Sequence, residues 1–415
     1  MAPSPPATTD GSKTWSPSHL LDPSSAEIWS KIHAHLNANE FKAAITSAFE
    51  LPAGDSFTYH ASASVNLSQV EAAIHAGRAN GLHAWYVEPV TPSETGDNED
   101  KTVSIRNQPS LRISGYPPTN DIQAYISVFD PTKSVAHSLK SLSANAKKGS
   151  IRATVAGYLL SKRHLDPWIT VPKLKISTPK PRPSTSRDRG GPDENNNETR
   201  MVPAPVQGHE NPALDFWAYA CHILDYAGPN GNTALVTLSH HMLPVYMHHF
   251  GCVAPSWESL QVIVKLASGR SVLDMGSGNG YWSLMLRRLG LNVIAVDSGQ
   301  SRWRTTWIAD TIVTDGIQYL RKRGGCPSVV LLLVYPIVGG GFTRKVLDAY
   351  TGNVVCVAGT QNGNGYTGFK DMMVDEYLMT QKQGWEKVCQ VPLPSFAGKD
   401  DALFAFRRKP ESDKS

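Results

Sequence analysis

The chain has 415 residues, 40 Lys and Arg against 36 Asp and Glu, and five cysteines. That length suffices for two domains and a sizeable core, and no run approaches the ~18 consecutive apolar residues of a membrane span. Cysteines 221, 252, 326, 356 and 389 include no Cys-x-x-Cys pair, and the start, Met-Ala-Pro-Ser-Pro-Pro, lacks the basic and apolar regions of a signal peptide. Together these features exclude a disulfide framework and place the protein in the cytosol, with the nucleus as second compartment.

Residues 1–25 are rich in Ser, Pro and Thr and are expected to form a disordered tail. From Ala26 the spacing of Ile28, Trp29, Ile32 and Leu36 predicts a helix, and a second is expected over Phe41–Phe49. Ser68-Gln-Val-Glu71 reads as a capping box before a helix over Ala72–Ala79. Leu82–Val87 and Ile122–Phe129 read as strands. Residues 26–175 are therefore expected to form a small α+β module, without a catalytic pattern of its own.

Charge is unevenly spread. Residues 131–190 hold 13 Lys and Arg and two acids, a local balance of +11, whereas the whole chain is +4 and the remainder therefore −7. Such a window is either a solvated basic linker or an attraction site for an anionic partner such as a nucleic acid. Residues 176–208, with Pro179, Pro181 and Pro183 at every second position and then Arg-Gly-Gly-Pro, read as a linker. The second domain is expected over 209–410.

That domain opens with a helical pattern from Asn211 to Tyr226 and a histidine-rich stretch, His240, His241, His248 and His249. Pro244 separates the two pairs and no acid or cysteine completes a ligand set, so packing or a lid is preferred over zinc, and no metal site is assigned. Short apolar runs then alternate with helices: Val272–Leu273, Asn292–Val296, Thr311–Thr314, Val329–Tyr335 and Asn353–Ala358. Trp385–Val391 and Ala402–Phe406 close the chain with no helix between them, so one should run antiparallel. This is an α/β pattern: a doubly wound, mostly parallel sheet.

Its centre is Ser-Val-Leu-Asp-Met-Gly-Ser-Gly-Asn-Gly-Tyr-Trp, residues 271–282: strand, glycine loop, helix, then a second strand ending in Asp297. A dinucleotide fingerprint would place a third glycine where Tyr281 stands, and a P-loop would need Gly-Lys-Ser/Thr. What stands here is Asp274-x-Gly276-x-Gly278-x-Gly280, an acid that would repel a pyrophosphate and suits a cationic ligand. The ammonium of S-adenosylmethionine fits, with Ser277 and Asn279 in the same loop. Asp297 is placed to accept bonds from ribose hydroxyls, and Asp315, followed by Gly316, from the adenine amine. Trp303 and Trp307 either flank the adenine or pack in the core.

On these residues (the glycine loop, Asp297, Asp315-Gly316 and the closing strand pair) the segment from about 210 to 408 resembles a class I S-adenosylmethionine-dependent methyltransferase domain. The resemblance implies a seven-stranded sheet with an antiparallel final strand and a cofactor at its C-terminal edge. Acceptor-side candidates are Tyr335, before Pro336, and Gln361 and Asn362 in a glycine-rich loop. The place of Tyr335-Pro336 resembles the Asp/Asn-Pro-Pro-aromatic motif of amino-group methyltransferases, without its acid and second proline. A third candidate group is Lys399-Asp400-Asp401 between the closing strands, for which a solvated turn is the preferred reading. The expected activity is methyl transfer, with RNA or protein preferred over a small molecule as acceptor. The alternative is a non-catalytic S-adenosylmethionine-binding scaffold, and a nicotinamide oxidoreductase ranks third.

Overall fold

A computed structural model describes residues 7–22, 25–60, 65–75, 87–89, 111–113, 117–174, 211–223, 228–231, 233–235, 242–382, 384–396 and 398–409. The expected linker over 176–208 lies outside these residues, as do His240, His241 and positions 82–86 of the first expected strand.

The strands in chain order are β1 (Thr58–Tyr59), β2 (Val65–Asn66), β3 (Val87–Pro89), β4 (Leu111–Ile113), β5 (His164–Leu165), β6 (Val272–Met275), β7 (Val293–Asp297), β8 (Ile312–Val313), β9 (Val330–Val334), β10 (Val354–Thr360), β11 (Trp385–Pro392) and β12 (Asp401–Arg408). The first four form two antiparallel pairs, β1 with β2 and β3 with β4. The rest make one sheet in the order β5-β11-β12-β10-β9-β6-β7-β8. Strands β8, β7, β6, β9 and β10 are mutually parallel. The last strand, β12, is antiparallel to both β10 and β11, as the helix-free connection requires.

The sheet has eight strands where seven were expected. The extra one, β5, comes from the N-terminal half and pairs with β11 through Cys389↔Leu165 and Gln390↔His164. A strand of two residues carries no readable alternation, so only its partner reveals it.

Side chains alternate across the sheet, and each face has its own core. Val272, Leu332, Val354 and Leu403 face one cluster together with Leu139, Leu159, Phe49 and Trp217. Leu273, Leu331, Val355 and Phe404 face the other with Leu320, Val346 and Leu378. The first face is covered by helices from both halves of the chain, so described residues of the N-terminal half share the core of the sheet.

The helices in chain order are α1 (Ser18–Leu21), α2 (Ala26–Asn37), α3 (Phe41–Phe49), α4 (Leu67–His75), α5 (Thr119–Ile126), α6 (Val135–Ala144), α7 (Ile151–Lys162), α8 (Pro212–Ile223), α9 (Leu243–Phe250), α10 (Trp257–Ala267), α11 (Tyr281–Arg288), α12 (Gly316–Arg321), α13 (Phe342–Ala349) and α14 (Val374–Thr380). Four expectations change here. Residues 7–22 are ordered: Trp15 is fully buried and donates from Nε1 to Ala48 O at 2.9 Å. Ile122–Phe129 is α5 followed by a 3₁₀ turn over Ser127–Phe129. Its buried residues, Ile122, Tyr125, Val128 and Phe129, lie at i, i+3, i+6 and i+7, a helical stripe. The basic window, where described, holds two helices, α6 and α7, with Leu139 and Leu159 buried, and the edge strand β5. The cap of α4 is Asn66 with Gln69, each side chain accepting from the other's backbone N–H at 2.8 and 2.9 Å, which places the box two residues before the expected one. Among the described residues no helix is long and apolar enough to cross a membrane.

Candidate functional site

Counted from β6, the parallel strands run third, second, first, fourth, fifth, so the order reverses between β6 and β9. Such a switch point opens a crevice at the strands' C-terminal ends, where doubly wound sheets bind ligands. The loop leaving β6 lies there. Gly276, Gly278 and Gly280 have φ of 79°, 57° and 80°, left-handed values that side chains resist. A Cβ on Gly280 would also lie 2.3 Å from Ile308 Cγ1. The loop is drawn onto β7 by Gly276 N–H donating to Val296 O at 2.7 Å and Gly278 N–H to Asp297 Oδ2 at 2.9 Å.

Asp297 also accepts from Gly299 N–H through Oδ1 at 2.7 Å. Both oxygens are thus fixed by backbone while the residue stays partly exposed. Asp274 is fully buried; its Oδ2 accepts from Ser283 Oγ of α11 at 2.6 Å, and its Oδ1 has no partner. Burial, opposed by the Ser283 bond and reinforced by Asp297, pushes its carboxyl up to about 7. Ser277 Oγ is likewise buried without a partner, and so is Nε1 of Trp303, whose indole packs against Gly278. Three polar atoms around one loop therefore lack partners.

The other expected residues divide. Asn279 is engaged internally, donating to His249 O at 3.1 Å and accepting from Tyr281 N–H at 3.2 Å. Tyr281 fits where a dinucleotide site needs glycine because its hydroxyl bonds Asn211 Oδ1 at 2.6 Å and Ala213 N–H at 3.0 Å. Asp315 is exposed and caps α12 through Gln318 N–H at 2.8 Å. A Cβ on Gly316 would sit 2.3 Å from Met275 Sδ, so only glycine lets α12 approach β6. Trp307 is core: it is 1% exposed and packs edge-on to Trp15 and Tyr281 at 5.2 and 4.8 Å.

Of the histidines, His249 is fully buried between Tyr59 Oη at 2.9 Å and Thr305 Oγ1 at 2.8 Å. Burial, with Arg304 nearby, drives it well below the usual imidazole range. Its bonds are those of a neutral packing residue. Arg304 is itself buried, paired with Asp10 and Asp55 and lying 4.6 Å over the Phe57 ring.

At the turn into β12, Lys399, Asp400 and Asp401 are 2%, 0% and 1% exposed, not a solvated turn. Gln361 and Asn362 serve this turn: Gln361 Nε2 donates to Asp400 Oδ1 at 2.9 Å, and Asn362 Nδ2 to Thr233 Oγ1 at 2.9 Å. Tyr158 of α7 donates to Asp400 Oδ2 at 2.7 Å. The sequence named Lys399-Asp400-Asp401 as a candidate group but preferred a solvated turn, and it missed Tyr158, which lies 242 positions from Asp400.

A separate cleft of about 240 Å³ is lined by Phe129, Lys133, Val171 and Trp257 among others. It lies away from the glycine loop, and its acids are already paired, Asp130 with Lys133 at 2.9 Å and Glu258 with Arg163 at 2.5 Å.

No family model matches the chain, and no curated protein does. Among solved structures, it is similar to a Burkholderia thailandensis 1,6-didemethyltoxoflavin-N1-methyltransferase with bound S-adenosylhomocysteine (15% identity, 34% of this chain and 73% of that one, TM-score 0.25). It is similar too to an S-adenosylmethionine-dependent methyltransferase from Agrobacterium tumefaciens (13%, 37% and 61%, 0.25). A third likeness is a Streptococcus agalactiae protein of the NADB-Rossmann superfamily (10%, 35% and 64%, 0.25). At such values no ligand or activity transfers to this chain, whose α/β, Rossmann-like sheet stands on its own strand order.

Proposed function

We propose that the chain is an S-adenosylmethionine-dependent methyltransferase whose donor site is the 274–280 loop. The observation that carries this reading is the set of buried, unpartnered atoms at that loop: Asp274 Oδ1, Ser277 Oγ and Trp303 Nε1. Buried polar atoms are almost always satisfied, so a group left open at a switch point marks a place for a ligand. Asp274 suits the donor's ammonium, and the loop of Gly276, Ser277, Gly278, Asn279 and Gly280 admits its close approach. Asp297 suits the ribose hydroxyls, and Asp315 with Gly316 suits the adenine end. When bound, the cofactor supplies an activated methyl group. The chain's own part is then to orient the acceptor and exclude water.

RNA or protein is the preferred acceptor class, because α6 and the turn after it present Lys140, Lys147 and Lys148 to solvent. Calorimetry with S-adenosylhomocysteine tests the donor site; no binding, or binding unchanged by Asp297→Ala, overturns it. Labelled cofactor incubated with cell extract then separates RNA, protein and small-molecule acceptors. Binding without transfer to any fraction would assign the scaffold role instead.

A further inference from the structure

The acceptor edge holds a second group of unsatisfied polar side chains. Tyr335, at the end of β9, has φ 52° and a buried Oη without a partner. Lys399 Nζ lies 3.8 Å from the centre of the Tyr335 ring and makes no hydrogen bond or ion pair among the described residues. Asp401, which begins β12, has a buried Oδ1 without a partner. Within the same turn Asp400 is bonded by Gln361, Tyr158 and Thr233. The contrast is specific: one carboxylate is fully served, and the cation and anion on either side of it are left open. Interiors keep such groups only where something else completes them.

Two indirect links connect this group to the donor loop. Strand β9 pairs directly with β6, which leads into the glycines. Gly251 abuts Asn279, a Cβ there lying 3.5 Å from its Oδ1. The next residue, Cys252, is close enough to feel both Lys399 and Asp401. Burial lowers the Lys399 amine, against the pull of Asp401, and pushes the Asp401 carboxyl up to about 7.

We propose that Tyr335, Lys399 and Asp401 form the methyl-acceptor subsite, that it takes a hydroxyl-bearing acceptor, and that Lys399 receives the hydroxyl proton. The proposal rests on the donor reading above and deepens it. A neutral Lys399 is a proton acceptor, which a hydroxyl acceptor needs before it can attack and a neutral amine does not. A hydroxyl is a weak nucleophile until its proton leaves, so it needs a base, and a buried lysine is one when neutral. In the step the O–H bond breaks and its proton passes to Lys399 Nζ. The oxygen pair forms the O–CH3 bond as the S–CH3 bond breaks, and those electrons stay on sulfur as S-adenosylhomocysteine leaves. The new ammonium is held over the Tyr335 ring and beside Asp401.

The probe is para-nitrophenol, whose absorbance reports ionisation. Full-length protein saturated with S-adenosylhomocysteine is titrated with it from slightly acidic to alkaline pH, and the ionisation of the bound phenol is compared with that of the free phenol. A saturable phenolate signal is expected. Lys399→Met should abolish the signal, and Tyr335→Phe, which keeps the ring, should weaken binding about tenfold. S-adenosylhomocysteine affinity should stay within about twofold in both variants, because neither side chain is in the donor loop. No saturable signal in the intact protein, or one that survives Lys399→Met, overturns the proposal. If Lys399→Met does not fold, an unchanged Tyr335→Phe titration overturns it. Loss of S-adenosylhomocysteine binding by the unaltered protein is a different failure, that of the donor site itself.

Discussion

Asp274→Asn is expected to stabilise the free protein at high pH and destabilise it at low pH. Burial pushes the folded carboxyl up to about 7, against an ordinary value of 3.8. Between these values the folded state holds a proton that the unfolded state has lost, so stability falls as pH rises. The contribution is fully present below the unfolded value and is lost as pH passes through about 7. At 1.36 kcal/mol per pKa unit the loss is about 4 kcal/mol. Asparagine removes that loss and keeps an oxygen for Ser283, but leaves an amide N–H unpaired at a cost of ~1–3 kcal/mol. The net gain expected near pH 8 is therefore ~1–3 kcal/mol, and near pH 3, below the unfolded value, the sign reverses, because the carboxyl is then neutral in both states. Urea denaturation of both proteins across this range gives the difference directly. Comparing them cancels Asp215 and Asp401, which burial also pushes up to about 7. The same variant should bind S-adenosylhomocysteine about tenfold or more weakly, the worth of one charged hydrogen bond. A variant less stable at both pH values, or one with unaltered affinity, would refute the assignment of Asp274 as a ligand-facing buried charge.

Gly280→Ala forces a side chain into φ 80° and against Ile308, so a loss of more than ~1–2 kcal/mol is expected in denaturation. Adding Ile308→Ala should relieve the clash but not the backbone strain. Arg304→Met strands Asp55, whose side chain is 7% exposed, and should cost ~3–5 kcal/mol; Asp55→Asn in the same chain should recover much of it, and a failure to do so would mean the pair is not coupled. Replacing Lys140, Lys147 and Lys148 together by Ala should lower the salt slope of RNA binding by about 2 if all three meet phosphates. An unchanged slope would remove α6 from the RNA-binding surface.

What the sequence disclosed, and what it hid, follows from the range of the forces involved. The 271–297 unit was readable because its signals are local: apolar runs that alternate at the right lengths, and glycines where the backbone must turn left-handed. The same holds for α2, α3 and the closing hairpin. Residues 7–22 were misread because their composition is that of a disordered tail. Their order comes from partners far along the chain, such as Thr9 bridging to Thr305 and Asp10 pairing with Arg304. Lys399-Asp400-Asp401 was read as solvated for a related reason. Three charges in a row favour water unless specific partners replace it, and those partners, Gln361, Asn362 and Tyr158, lie 38 or more positions away.

The N-terminal half is therefore part of the site's construction. It supplies an edge strand to the sheet, and Tyr158 to the acceptor turn. It also supplies Tyr59 to His249, whose carbonyl holds Asn279 of the glycine loop. Each contact lands on a residue that positions a candidate ligand group without being one. The donor loop is built from one local stretch, so its geometry depends mainly on glycine conformations. The acceptor edge is assembled from α7, β9, β10 and β12, four separate pieces of chain. Changes in the N-terminal half should therefore act on acceptor choice before they act on cofactor binding, because Tyr158 reaches Asp400 directly and the glycine loop only through His249.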